Sequence, residues 1–117
     1  MPDIRTQDLV HCNNKLFFPM IILILERDLK TIEKLPFKLN RPYIKIVEDA
    51  LKLIRKDLKS AEMYLIRNKI KVFKWERDKD STTYIFSSSG VENHYKFLNT
   101  EIRDRCEEIL SKYLFAE

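Results

Sequence analysis

Between Pro42 and Arg67 the apolar residues Val47, Ala50, Leu51, Ile54, Leu58, Ala61 and Leu65 recur at steps of three and four, while Lys45, Lys52, Arg55, Lys56, Lys59 and Arg67 fall mostly between them. That is the period of an amphipathic helix, apolar along one stripe and solvated elsewhere. Pro42 suits the first helical position, where its missing N–H has no partner to lose, and Glu48 and Asp49 follow toward the positive end of the helix dipole. Arg67 and Lys69 stand at the other end, where cations are favoured, and Asn68 can take the left-handed conformation that closes a helix. About 26 residues at ~1.5 Å each make a rod of roughly 39 Å, as long as a domain of this size is wide. Other elements must pack along it.

Upstream, Phe18, Ile21, Ile22, Leu25, Leu29 and Ile32 mark a first helix from Leu16 or Phe18 to about Lys34, with Pro19 fitting only its first turn. Its stretch Met20–Leu25 is apolar on every side. So small a domain cannot easily hide all of it, and the surplus face, with Met20, Ile21, Ile24 and Leu25 as candidates, either lies under other elements or meets a second subunit. Leu35–Arg41, with Pro36 inside it and Pro42 at its end, is a short stiff link, so the two helices form an antiparallel hairpin. Residues 1–15 are polar, carry the turn-prone pair Asn13-Asn14 and read as an N-terminal arm, leaving 16–117 as one domain.

Beyond Asn68 the pattern becomes extended. Ile70–Arg77 is rich in Ile, Val, Phe and Trp, Asp78–Ser81 reads as a turn, and Thr82–Ser87 is again β-prone. Setting Arg77 against Thr82 pairs Trp75 with Tyr84 and Phe73 with Phe86 on one face, which reads first as core against a helix. A slip of one residue would break both pairs. Ser87–Gly90 is a turn or loose loop, Tyr95 and Phe97 alternate with polar neighbours as in a third strand, and Asn99 or Thr100 can cap a last helix to about Leu114. Its stripe of Ile102, Cys106, Ile109, Leu110, Tyr113 and Leu114 makes Cys106 a core residue. The expected fold is therefore α+β: a helix hairpin, a two- or three-stranded antiparallel sheet and a C-terminal helix.

The composition excludes more than it selects. With one Gly in 117 residues there is no Gly-rich phosphate loop. Two Cys and two His scattered from His11 to Cys106 do not make a zinc set, and adjacent His11 and Cys12 in an extended arm would point apart. Asp78/Asp80 and Glu107/Glu108 lack the apolar setting that acid–base work at neutral pH requires. The reading is of a non-enzyme without cofactor or metal. The apolar run Leu16–Leu25 is too short to span a bilayer, and Glu26-Arg27-Asp28 stands where a leader would need small residues for cleavage. A cytoplasmic protein with reduced, unpaired cysteines is expected.

Charge points to two partner classes. The net charge is +4, but residues 34–79 alone carry +8, flanked by −1 before and −3 after. Arg55, Lys56 and Lys59 on the long helix, with Lys71 and Lys74 beside Trp75 on the hairpin, would serve phosphate contacts and base stacking if one surface presented them all. Interleaved Glu62, Glu76, Asp78 and Asp80 count against it. The leading expectation is a small regulatory or protein-interaction module that forms a homodimer through its apolar helices, or meets another protein there; binding of nucleic acid by helix 42–67 and hairpin 70–87 is the alternative.

The segments Leu29-Lys30-Thr31-Ile32-Glu33, Pro36-Phe37-Lys38-Leu39-Asn40-Arg41-Pro42-Tyr43 and Tyr64-Leu65-Ile66-Arg67-Asn68 resemble short uncharacterised proteins of Bacillus-type bacteria or their phages, over roughly residues 19–114. The resemblance implies a bacterial or phage-borne cytoplasmic protein. It transfers no functional residue.

Overall fold

Six elements follow one another along residues 5–115, the part of the chain that the structure, a computed structural model, describes: α1 (Thr6–Lys34), α2 (Arg41–Arg67), β1 (Ile70–Arg77), β2 (Ser81–Ser88), β3 (Val91–Leu98) and α3 (Asn99–Leu114). The sheet is antiparallel in the order β1-β2-β3, so the α+β arrangement with a third strand holds. On α2 the stripe buries Val47, Ala50, Leu51, Ile54, Ala61 and Leu65 against α1. Ion pairs from Lys15 to Glu62 and from Glu26 to Arg55 clip the two helices at their edges, each contributing about 0–1 kcal/mol. The helix ends at Arg67, and the left-handed residue that turns the chain is Lys69 (φ 54°); Asn68 (φ −97°) instead donates its amide N–H to the Tyr64 carbonyl.

The first helix corrects the expected arm. From Thr6 onward the chain is already helical, and Cys12, Leu16, Phe17, Phe18, Ile21 and Leu25 are all buried. Leu9, Cys12 and Leu16 extend the apolar spacing upstream, and Asp8 docks beside them by accepting the Tyr64 hydroxyl and an ion pair from Arg5. His11 stacks on Tyr64 at 3.8 Å, and burial pushes the Cys12 thiol up to about 11. Pro19 therefore lies in the helix interior, where it removes a hydrogen bond to the fourth residue back, at a cost of about 3 kcal/mol. Burial of Phe17, Phe18 and Ile21 around it offsets that cost. At 29 residues α1 is long and apolar enough to cross a membrane by composition; here Phe17, Phe18, Ile21 and Leu25 lie in the protein core, while Val10, Leu23 and Ile24 are exposed.

The sheet corrects the expected register. Arg77 does face Thr82, but Lys74 faces Tyr84 and Val72 faces Phe86, because the pairing shifts by one residue between Lys74 and Glu76. Trp75 is the extra residue of a β-bulge. Tyr84 and Phe86 remain in the core, where Phe86 meets Tyr95 at 4.6 Å and Tyr84 meets Phe97 at 6.2 Å. Phe73 and Trp75 fall on the other face, Phe73 opposite buried Ile85 and Trp75 edge-on to His94, and Trp75 stays 60% exposed. β2 and β3 are joined through Ser89 (φ 53°) and Gly90 (φ 78°), two successive left-handed residues of the kind that a two-residue hairpin turn demands.

Phe97 carries the sheet onto Phe17 of α1, edge to face at 6.0 Å. α3 then crosses both helices: Tyr113 packs edge-on against Phe18 and donates its hydroxyl to Asp57 of α2. Its start is held by Glu101, whose carboxylate accepts the Leu98 N–H, and by Asn99, which ties Thr82 to the Lys79 carbonyl. Cys106 is buried, and it and Cys12 are both free thiols.

Candidate binding cleft

The bulge at Trp75 builds the most developed concavity. Residues three apart on a regular strand face opposite sides, yet Lys74 and Arg77 are set against Tyr84 and Thr82, which share one face. Both cations thus come to the helix side of the sheet. There they line a cleft of 510 Å³ whose floor and walls are Met20, Ile21 and Ile24 from α1, Thr82 and Tyr84 from β2, and Ile102, Cys106 and Leu110 from α3. Arg103, Glu107 and Asn99 complete the lining.

Its electrostatics are one-sided. Among the described residues none of Lys74, Arg77 and Arg103 has a carboxylate within ion-pair distance, and Glu107 is the one acid in the lining. Burial raises the Tyr84 hydroxyl, an effect that nearby Cys106 reinforces and Arg77 opposes, and burial likewise raises the Cys106 thiol. A thiol held protonated is neither a nucleophile nor a metal ligand. Among the described residues no group of three His, Cys, Asp or Glu side chains is placed to hold a metal ion. The lining is that of an apolar pocket with cationic side chains around it.

A second surface lies beyond α3 on the helical hairpin. Ile46, Leu53 and Asp57 fall on one stripe of α2, at i, i+7 and i+11. Asp57 is covered by Tyr113, whereas Leu53 and Ile46 are bare, 45% and 48% exposed. On α1, Ile21 is buried beside α3 and Ile24, one turn on, is 41% exposed. The side of α2 that α3 covers lower down therefore continues uncovered through Leu53, Asp49 and Ile46 toward exposed Phe37 and Tyr43, whose rings lie 5.5 Å apart at the tip, whereas the positions that follow Ile24 on α1 are Arg27, Asp28 and Thr31.

The residues singled out from the sequence divide accordingly. Of the four interface candidates, Ile21 and Leu25 are core and cannot meet another subunit, while Met20 and Ile24 remain accessible at the cleft. Exposed Leu23, also of the apolar run, was hidden among its neighbours. The basic residues do not form one surface: Arg55 is paired with Glu26, Lys56 and Lys59 lie on the solvent side of α2, Lys74 turns into the cleft, and Lys71 faces Ser87 on the opposite side of the sheet. Arg77, Arg103 and Tyr84 were missed as a set because they come from three elements and share no motif.

Comparison with known proteins places the whole chain in one group. The family model described as YhjD protein matches residues 3–117. A protein of Bacillus subtilis strain 168, called uncharacterized protein YhjD, is 36% identical over 116 residues, covering 99% of this chain and 97% of its own length. No solved structure matches. A full-length family match, with a relative of the same size aligned nearly end to end, means that the chain belongs to the YhjD protein family.

Proposed function

We propose that the chain is a small non-enzymatic interaction module that self-associates, packing the far half of its helical hairpin against that of a second copy. The observation that carries this reading is the bare stripe of Ile46 and Leu53, flanked by Ile24, which continues the face that α3 covers lower down. Two antiparallel hairpins related by a two-fold axis make a four-helix arrangement in which each copy buries what the other exposes. Six half-exposed aliphatic side chains per dimer offer about 5–9 kcal/mol gross, against an association cost of about 4–15 kcal/mol. Gain and cost are of the same size, so the proposed dimer is weak and reversible, held in the reducing cytoplasm where its two thiols stay free.

Light scattering from about ten to several hundred micromolar protein tests it. The expected result is a concentration-dependent rise from 14.1 kDa toward twice that mass, kept at half-molar salt and abolished in Leu53→Asp with helicity unchanged. A wild-type monomer across that range would sink the self-association reading and leave the stripe to a different protein.

The exposure of Trp75 beside Phe73 favours a second reading, single-strand binding on the outer face of the sheet. Lys71 and Lys96 share that face with Glu76 and Glu92, so the charges cancel and affinity would have to come from stacking. Unquenched Trp75 fluorescence on titration with a short oligonucleotide at low salt removes this reading.

A further inference from the structure

We infer that the cleft between α1, α3 and the inner face of the sheet is a binding site for a small amphipathic anion: an apolar chain or ring bearing a single carboxylate. This does not rest on self-association: Leu53 and Ile46 lie outside the cleft, although Ile24 borders both surfaces.

Shape and chemistry agree on that class. A volume of 510 Å³ falls within the range of small-molecule sites, and the depth is apolar, formed by Ile21, Ile102 and Leu110. Polar ligands such as sugars would leave hydroxyls unpaired there. Exposed Arg77 and Lys74 from the sheet and exposed Arg103 from α3 line the same cleft, and Glu107 offsets one of these three charges. Guanidinium groups match a carboxylate geometrically, and two from different elements can grip one head group. Tyr84, with its hydroxyl within electrostatic reach of Arg77, supplies a neutral donor at the boundary between the charged mouth and the apolar depth. A cationic ligand is excluded by the same residues.

The bulge makes the site an assembled feature of the fold. Without the extra residue at Trp75, Lys74 and Arg77 would face opposite sides of the sheet, and the mouth would lose one of them.

The test is calorimetric titration of the full chain with decanoate and, separately, with decyltrimethylammonium, which has an apolar chain one methylene longer and the opposite charge. Decanoate is expected to bind saturably, one to one, and the cation at least about tenfold more weakly. Replacing both guanidinium groups, Arg77→Met with Arg103→Met, keeps the apolar stems and should weaken decanoate by about tenfold or more. Leu110→Trp, which fills the cleft, should abolish binding, and amide shifts on decanoate addition should centre on Ile24, Tyr84 and Leu110. Leu53→Asp should bind decanoate like the wild type, which separates this result from the dimer. Absent decanoate binding, equal binding of the cation, or full binding by the double arginine variant would each overturn the assignment. If Leu110→Trp fails to fold, the arginine pair and the charge comparison still decide.

Discussion

The two halves of the helical hairpin share one apolar pattern but not one environment. In the near half, α1 lies between α2 and the sheet, with Phe17 against Phe97 and Phe18 against Tyr113. In the far half, none of the described ion pairs or ring contacts reaches α3 or the sheet: Glu26 meets Arg55, and Leu29 and Leu51 line a common hollow. The single stripe that serves a two-helix contact is satisfied in both. What differs is the second stripe, which is covered through Asp57 and Phe18 in the near half and bare through Leu53 and Ile46 in the far half. A neighbour's presence, rather than the helix's own pattern, decides whether such a residue is core or surface.

The largest expected effect separates adjacent residues on α2. Ile54 is fully buried, so Ile54→Ala removes packed methyl groups and should cost about 2–5 kcal/mol in urea denaturation. Leu53→Ala, one position earlier, should stay within about 0.5 kcal/mol when measured at concentrations that keep the chain monomeric. Equal losses at the two positions would mean that the far half has a covering layer after all, and the comparison would break.

A smaller effect concerns the start of the near half. The Tyr64 hydroxyl, with help from Arg5 and against the opposing effect of burial, holds the Asp8 carboxyl below its ordinary range. A carboxyl with a folded pKa below its unfolded value adds stability above the unfolded value, about 3.9, and that stability is lost as pH falls through the folded one. Tyr64→Phe should therefore flatten the fall in stability below about pH 4 relative to the wild type, as read from thermal denaturation along a pH series. Identical pH profiles would mean that Thr6–Cys12 is not docked through this contact.

These positions also show what the sequence could convey. The long helix was legible because its contact with α1 makes one clean stripe, and the third strand because Tyr95 and Phe97 alternate toward Phe86 and Tyr84. The first turns of α1 were not, because Gln7, Asn13 and Asn14 mask the spacing of Leu9, Cys12 and Leu16, and because Pro19 mimics a helix start. The bulge was invisible for a stronger reason: alternation carries no mark of an inserted residue, and Trp75 reads equally well on either face. The cleft inherits that opacity, since Lys74 and Arg77 converge only after the register shifts. Its other charged wall, Arg103 on α3, depends on a crossing that no local pattern specifies.

The smallest expected effect compares one ion pair from each half. Lys15–Glu62 joins side chains that are 35% and 39% exposed, whereas Glu26–Arg55 joins side chains that are 45% and 52% exposed. Both should fall within the range of about 0.2–1 kcal/mol for accessible pairs, with the drier near-half pair the stronger. Double-mutant cycles to Ala, run in low and in half-molar salt, measure each coupling apart from the packing lost with the long stems. Screening should erase more of the far coupling than of the near one, because water and counterions reach it more freely. The monomeric background Leu53→Asp is needed for both cycles. In the wild type a second copy seated over Leu53 and Ile46 leaves the Glu26–Arg55 pair wet, because Arg55 and Glu26 stand two residues, about 200° round their helices, from Leu53 and Ile24, so its coupling, like that of Lys15–Glu62, should stay constant with protein concentration. A far coupling that rises with concentration, in protein shown to dimerise, would place the second copy over the Glu26–Arg55 side of the hairpin instead.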